Sequence, residues 1–414
     1  MPKSSRMVTL LVALLMLAST PIEVIAQQDE RYDEINLEME GIRELDLLAP
    51  INLSTKTREE LREETVADLE TDYPAIDRQN DTRVLVAFGL MDPDDDLGTL
   101  YGDLLGEQVA GYYDPETDEM VVVSDDAPGT ELSASNQVTY AHETVHALQD
   151  QHFNLETFLS DREEASDDQS LAITSLIEGD ATAAQIEFLI SNPTLLLQLQ
   201  GEIVAQDVST EALDNAPAII SETLLFPYDQ GQVFVTALRD EGGWAGVDSA
   251  YESLPASTEH ILHPEKYLEG EQPVEVLLPD AAAALGSEWT VLDLNTMGEF
   301  QTSVLLDEGD VSSGDAEDAA EGWGGDRYTV IGTDNQSVIL WNSVWDSDDD
   351  AEEFADKLAA RESSRLDGSM DENGAVTVIE SDSGIVRIEL NSNAVSYVFA
   401  PDQDILDTVT ALEA

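Results

Sequence analysis

The chain has five histidines among its 414 residues, and they fall in two short stretches. His142, His146 and His152 belong to the first; His260 and His263 belong to the second. The first stretch reads Tyr140-Ala141-His142-Glu143-Thr144-Val145-His146. On a helix, residues four apart lie about 40° from each other around the axis, one turn above the other, so both imidazoles can reach one metal ion. Glu143 lies roughly 60° from His146, near enough to address a water on that metal without ligating it. Zinc lowers the pKa of a bound water to about 7, and a carboxylate beside it removes the proton. Types and spacing therefore fit metal-assisted hydrolysis, with Zn²⁺ as the expected cofactor.

A third ligand is needed, and two candidates compete. His152 follows His146 by six residues, a spacing that matches the metzincin metallopeptidases. Their pattern has a glycine three residues after the second histidine, where the chain must turn. Here that position is Gln149, and Ala147-Leu148-Gln149-Asp150 favours continued helix. Glu178 is the rival, flanked by Leu171, Ile173, Leu176 and Ile177. An acid in so apolar a setting calls for a compensating cation. The adjacent Gly179 costs about 1 kcal/mol relative to alanine inside a helix and points to close backbone approach.

A His-Glu-x-x-His helix followed on the next helix by a glutamate resembles the gluzincins, the thermolysin-like zinc metallopeptidases. The resemblance covers roughly residues 105–192. It implies an α+β, zincin-like core in which a small sheet precedes an active-site helix and a ligand helix. It also implies His142, His146 and Glu178 as ligands, Glu143 as general base and a peptide or protein as substrate. An upstream edge strand would pair with substrate, and the run from Gln108 to Ser124 is placed to provide it. One position departs from the pattern: thermolysin has an aspartate four residues after its glutamate ligand, and this chain has Thr182. Asp180 is then the candidate to orient a histidine.

Peptide hydrolysis further requires a donor to the tetrahedral oxyanion. In thermolysin-like enzymes a histidine and a tyrosine beyond the ligand helix serve. His263, fixed beside Pro264, and Tyr267 are the expected pair, with His260 and Tyr228 behind them.

The elements that must position these groups can be outlined from pattern. Residues 27–105 read as an acidic helical region, with a capping box at Thr57 and Glu60 ahead of Leu61, Val66 and Leu69. Valine- and tyrosine-rich runs on either side of Asp114-Pro115-Glu116-Thr117-Asp118 predict a hairpin. A helix over 135–151 carries the histidine pair, and one over 171–190, stopped by Pro193, carries Glu178. Residues 106–280 form the expected catalytic unit. From 281 to 414 strand-like runs alternate with turns, an α+β region with no assigned chemistry, in which Asp310 to Glu321 reads as a flexible acidic loop.

Composition sets the surroundings. Acidic residues number 88 against 17 basic, a net charge of −71, while hydrophobic content stays at 42%. Such a surface repels phosphate backbones and anionic headgroups, which excludes nucleic acid and peripheral membrane docking. Acid throughout with few lysines matches a protein bathed in concentrated salt. Lys3 and Arg6, the apolar run Met7 to Ala18 and a small residue at Ala26 give residues 1–26 the order of a secretory signal. No later segment predicts a stable membrane span. The expectation is a secreted, halophilic zinc metallopeptidase. A structural metal site in an envelope or adhesion protein, and a zinc hydrolase of non-peptide amides, are the alternatives.

Overall fold

The computed structural model describes residues 30–108, 111–123, 132–158, 165–206, 211–308 and 311–412. The signal-like segment 1–26 and the loop residues 125–131 and 161–164 lie outside the described residues. The fold is mixed α+β.

Helix α1 (Glu30–Arg43) is followed by strand β1 (Asn52–Lys56) and helices α2 (Arg58–Asp72), α3 (Ala75–Phe88) and α4 (Leu97–Gln108). The capping box closes α2 as expected: Thr57 Oγ1 accepts from Glu60 N–H, and Glu60 Oε2 accepts from Thr57 N–H. Strand β1, in a stretch that reads as wholly helical, is a correction. Its sequence Asn-Leu-Ser-Thr-Lys has no apolar alternation, and it is held by parallel pairing with β3.

The hairpin forms from β2 (Gly111–Asp114) and β3 (Glu119–Val123). Asp114 organises the turn, accepting from Glu116 N–H at 2.9 Å and Thr117 Oγ1–H at 2.6 Å. Among the described residues the sheet order is β1-β3-β2, which places β2, buried along its length, at one end of the sheet.

Three long helices follow. Helix α5 (Ala134–Phe153) starts at Ser133, whose side chain caps Asn136 N–H, and ends at Asn154 in a left-handed conformation. Glu202 of α7 (Pro193–Gln206) adds a second cap, taking the N–H groups of Ala134 and Ser135 at 2.8 and 2.9 Å. Helix α6 (Asp167–Ser191) is buried along most of its length. Helix α6 ends at Ser191, just ahead of Pro193 as expected, and Pro193 also opens α7, because proline at a first helical position gives up no bond that the helix needs. Helix α8 (Ala218–Gly242) crosses α6 at a pair of glycines. A Cβ on Gly179 would sit 2.2 Å from the Gly231 carbonyl carbon, and one on Gly231 would sit 2.2 Å from Ser175 O. Only hydrogen at both positions permits this approach. Short helices α9 (Trp244–Glu252), α10 (Thr258–Leu262) and α11 (Pro264–Glu269) lead out of the bundle.

The C-terminal part is an antiparallel seven-stranded sheet in the order β4-β5-β6-β10-β9-β8-β7. Its strands are β4 (Thr290–Asn295), β5 (Trp323–Gly332), β6 (Ser337–Trp345), β7 (Ser369–Asn373), β8 (Val376–Ser381), β9 (Gly384–Asn391) and β10 (Ala394–Ala400). Alternation along β6 sends Ile339 and Trp341 to one face and Val338 and Leu340 to the other, and both faces are buried. Helices α12 (Gly298–Asp307), α13 (Ser313–Ala320) and α14 (Asp348–Leu366) join the first face, and α15 (Gln403–Thr410) covers the second. Helix α13 corrects the expected flexible loop. Ser312 caps it, and Ala316, Ala319 and Ala320 are small enough to pack tightly. The main apolar core runs without interruption from Tyr32 through the long helices to Tyr397.

Candidate metal centre

Three residues from α5 and α6 converge. His142 and His146 project from α5, and Glu178 meets them from α6; all three are buried. The facing atoms are 3.2 Å apart for His142 Nε2–Glu178 Oε2, 3.2 Å for His142 Nε2–His146 Nε2, and 3.5 Å for His146 Nε2–Glu178 Oε2. A tetrahedral zinc with bonds of about 2.0–2.1 Å keeps its ligand atoms about 3.3 Å apart. The triangle therefore fits that ion in size, and two imidazole nitrogens with one carboxylate oxygen fit it in kind. Among the described residues this cluster has three members, one fewer than a closed zinc site needs.

Electrostatics follow from burying an acid between imidazoles. Burial by itself would raise the Glu178 carboxyl; the charge of His146 and hydrogen bonds from both histidines outweigh it and hold the group well below the carboxylate range. Burial would likewise lower His146, yet Glu178 and then Glu143 push it up to about 9. A metal bound there would take the place of that proton as the partner of Glu178. Glu143 stands beside the triangle and is raised, first by burial and also by the charge of Glu178. The backbone N–H of Tyr113, on the edge strand β2, donates to Glu143.

A second consequence of the glycine crossing is Tyr228. It lies on α8 one turn before Gly231, bonds to Glu178, and stands 6.2 Å from His142 between ring centroids. Burial, then the charges of Glu178 and Glu143, raise its hydroxyl well above the usual range, so it stays protonated. The preceding Pro227 cannot donate to the helix ladder, which leaves the backbone open at this turn.

The other sequence candidates lie elsewhere. His152 is exposed, and its Nε2 bonds the Asp46 carbonyl at 2.8 Å. His263 bonds Glu299 Oε1 at 2.8 Å through Nε2 and lines a cavity of about 520 Å³ whose walls include none of His142, Glu143, His146 or Glu178. Tyr267 donates to Ser253 O at 2.7 Å and packs edge-on against Phe234 and His260. His260 accepts from Ala256 N–H at Nδ1 and donates from Nε2 to Glu271 O, which closes its own loop. The residue types sought for the oxyanion are thus present in the second histidine stretch but engaged there, and Tyr228 is the one brought to the cluster of His142, His146 and Glu178. Asp180 does not orient a histidine; it forms a buried pair with Arg43 at 2.7 Å and accepts from Tyr251 Oη at 2.8 Å. A further acidic trio, Glu259, Glu271 and Asp346, is filled by the ammonium of Lys266, 2.5 Å from Glu259 and 2.6 Å from Asp346.

Sequence reasoning also passed over Gln149 and Tyr113. Gln149 is fully buried, with Oε1 2.8 Å from His146 Nδ1 and Nε2 2.9 Å from Ile177 O. Its three-residue spacing from His146 was the available signal.

Comparison with known proteins adds little chemistry. Residues 290–410, the C-terminal sheet and its helices, match a domain of unknown function (DUF8575). No curated protein matches the chain. Among solved structures, a candidate hydrolase with a novel fold from Chloroflexus aurantiacus is similar at a TM-score of 0.35 and 15% identity, over 65% of this chain and 98% of that one.

Proposed function

We propose that the chain is a zinc-dependent metallopeptidase, with His142, His146 and Glu178 as ligands and Glu143 as general base. The single observation that carries this reading is the triangle of facing ligand atoms, whose sides of 3.2, 3.2 and 3.5 Å suit tetrahedral zinc. Three protein ligands and an accompanying unligated carboxylate favour a catalytic over a closed structural site. Zinc bound there supplies Lewis acidity and a water whose pKa falls to about 7. Glu143, buried and raised, would serve as the proton carrier of such a site, able to take a proton from water and to give it to a leaving amine. Tyr113 N–H fixes the Glu143 carboxylate, and β2 lies beside it at the end of the described sheet. Tyr228 donates its hydroxyl to the developing oxyanion, exchanging Glu178 for substrate.

Peptide bonds, not other amides, are the proposed substrate because β2, at the end of the described sheet and beside the base, is placed to pair with an extended peptide. We further propose that the protein is secreted into a concentrated-salt medium, on the signal-like residues 1–26 and the charge of −71.

The test is Glu143→Gln. Zinc stoichiometry should be retained while cleavage of casein in concentrated salt falls to background, as it should in the parent protein treated with chelator. Retained zinc together with undiminished cleavage sinks the proposal. A panel of peptide and non-peptide amides separates peptidase from amidase.

A further inference from the structure

A metal-binding imidazole must keep its ring plane fixed and its proton on the nitrogen remote from the metal. At His146 that nitrogen is Nδ1, 2.8 Å from Gln149 Oε1. The opposite end of the same carboxamide donates from Nε2 to the Ile177 carbonyl at 2.9 Å. A carbonyl can only accept, so the amide end facing Ile177 must be its NH₂ group, and the end facing His146 must be its oxygen. An oxygen facing Nδ1 in turn requires the proton on Nδ1, which leaves the Nε2 lone pair directed at the shared point. Gln149 is wholly enclosed, so bulk solvent does not compete for either bond. Helix α5 continues through Gln149 to Phe153, and that continuation delivers the side chain.

We propose that Gln149 is the positioning residue of the metal centre. It sets the tautomer and ring plane of His146 and, through the carbonyl of Ile177, ties that ligand to the residue immediately preceding Glu178. Two ligands on different helices are thereby held by one side chain. The inference rests on the zinc reading, and its test does not use peptidase activity.

Zinc affinity is measured on the full chain by competition with a chromophoric chelator, and the absorption spectrum of the Co²⁺ form is recorded. Gln149→Met keeps length and removes both bonds; it should weaken zinc by about 10–100-fold and alter the Co²⁺ bands. Gln149→Glu keeps an acceptor at Nδ1 and should recover most of that affinity. Unchanged affinity and spectrum in Gln149→Met overturn the proposal. Equal losses in both variants also overturn it, because they show packing alone. Should Gln149→Met fail to fold, imidazole ¹⁵N shifts of the unaltered zinc-loaded protein decide: a proton on His146 Nδ1 with metal at Nε2 supports the assignment, and the reverse overturns it. If the unaltered chain binds no zinc, the underlying functional reading fails with it. If it binds zinc and Gln149→Met binds as tightly, only this inference fails.

Discussion

A phenol that cannot lose its proton serves as a donor, and Tyr228 is such a phenol beside two carboxylates. Tyr228→Phe removes the hydroxyl and keeps the ring against His142. It should lower kcat by about a hundredfold or more, with zinc content unchanged, as steady-state kinetics and metal analysis can show. A different buried acid makes the stability pH-dependent. Burial raises Asp168 to about 7, despite its bonds from Thr258 N–H at 3.1 Å and Thr258 Oγ1–H at 2.5 Å. The folded chain therefore keeps a proton that the unfolded chain releases near an ordinary aspartate pKa of 3.8. This contribution is fully present below that value and lost as pH rises through about 7. Asp168→Asn retains an acceptor for Thr258 and should flatten the slope; urea titrations at acidic and neutral pH would reveal no difference in slope if the assignment is wrong.

The contact between α6 and α8 sets where Tyr228 meets Glu178. Gly231→Ala forces a Cβ to within 2.2 Å of Ser175 O unless the helices part. Overpacking of this kind costs about 1–3 kcal/mol, and parting the helices draws Tyr228 away from Glu178. Denaturant unfolding should show the loss, and activity should fall more than stability alone explains. Elements with a strong apolar pattern were legible in sequence: α5, α6 and the strands of the C-terminal sheet other than β7 carry it. Others carry none. Strand β7 is exposed at every position, and β1 is mostly polar, so pairing partners alone define them. Helix α13 hides its packing in alanines. At the site, rare histidines and the apolar frame of Glu178 were readable, and Gly179 announced a close neighbour. The engagement of His263 with Glu299, and of Tyr267 with Ser253, depends on residues distant in sequence and could not be read from types alone.

At the scale of the whole molecule, exposed carboxylates repel one another while a few buried pairs hold the body together. Salt shortens the Debye length from about 8 Å at physiological strength to about 3 Å at 1 M, so the melting temperature should rise with added KCl. A flat or falling melting temperature contradicts the salt reading of the −71 charge. The buried Arg43–Asp180 pair lies beyond that screening. Arg43→Met leaves Asp180 enclosed without its partner and should cost about 3–5 kcal/mol in high salt as in low. Arg43 closes on Asp180, 137 residues later, and on Asp248, 205 residues later. A chain delivered N-terminus first thus presents His142, His146 and Glu178 before it presents the Tyr228, Asp248 and Tyr251 that surround and anchor them. On the proposed function, the cutting machinery matures only after well over half of the polypeptide has passed through its export route, and the cell that makes the enzyme is spared its activity in transit.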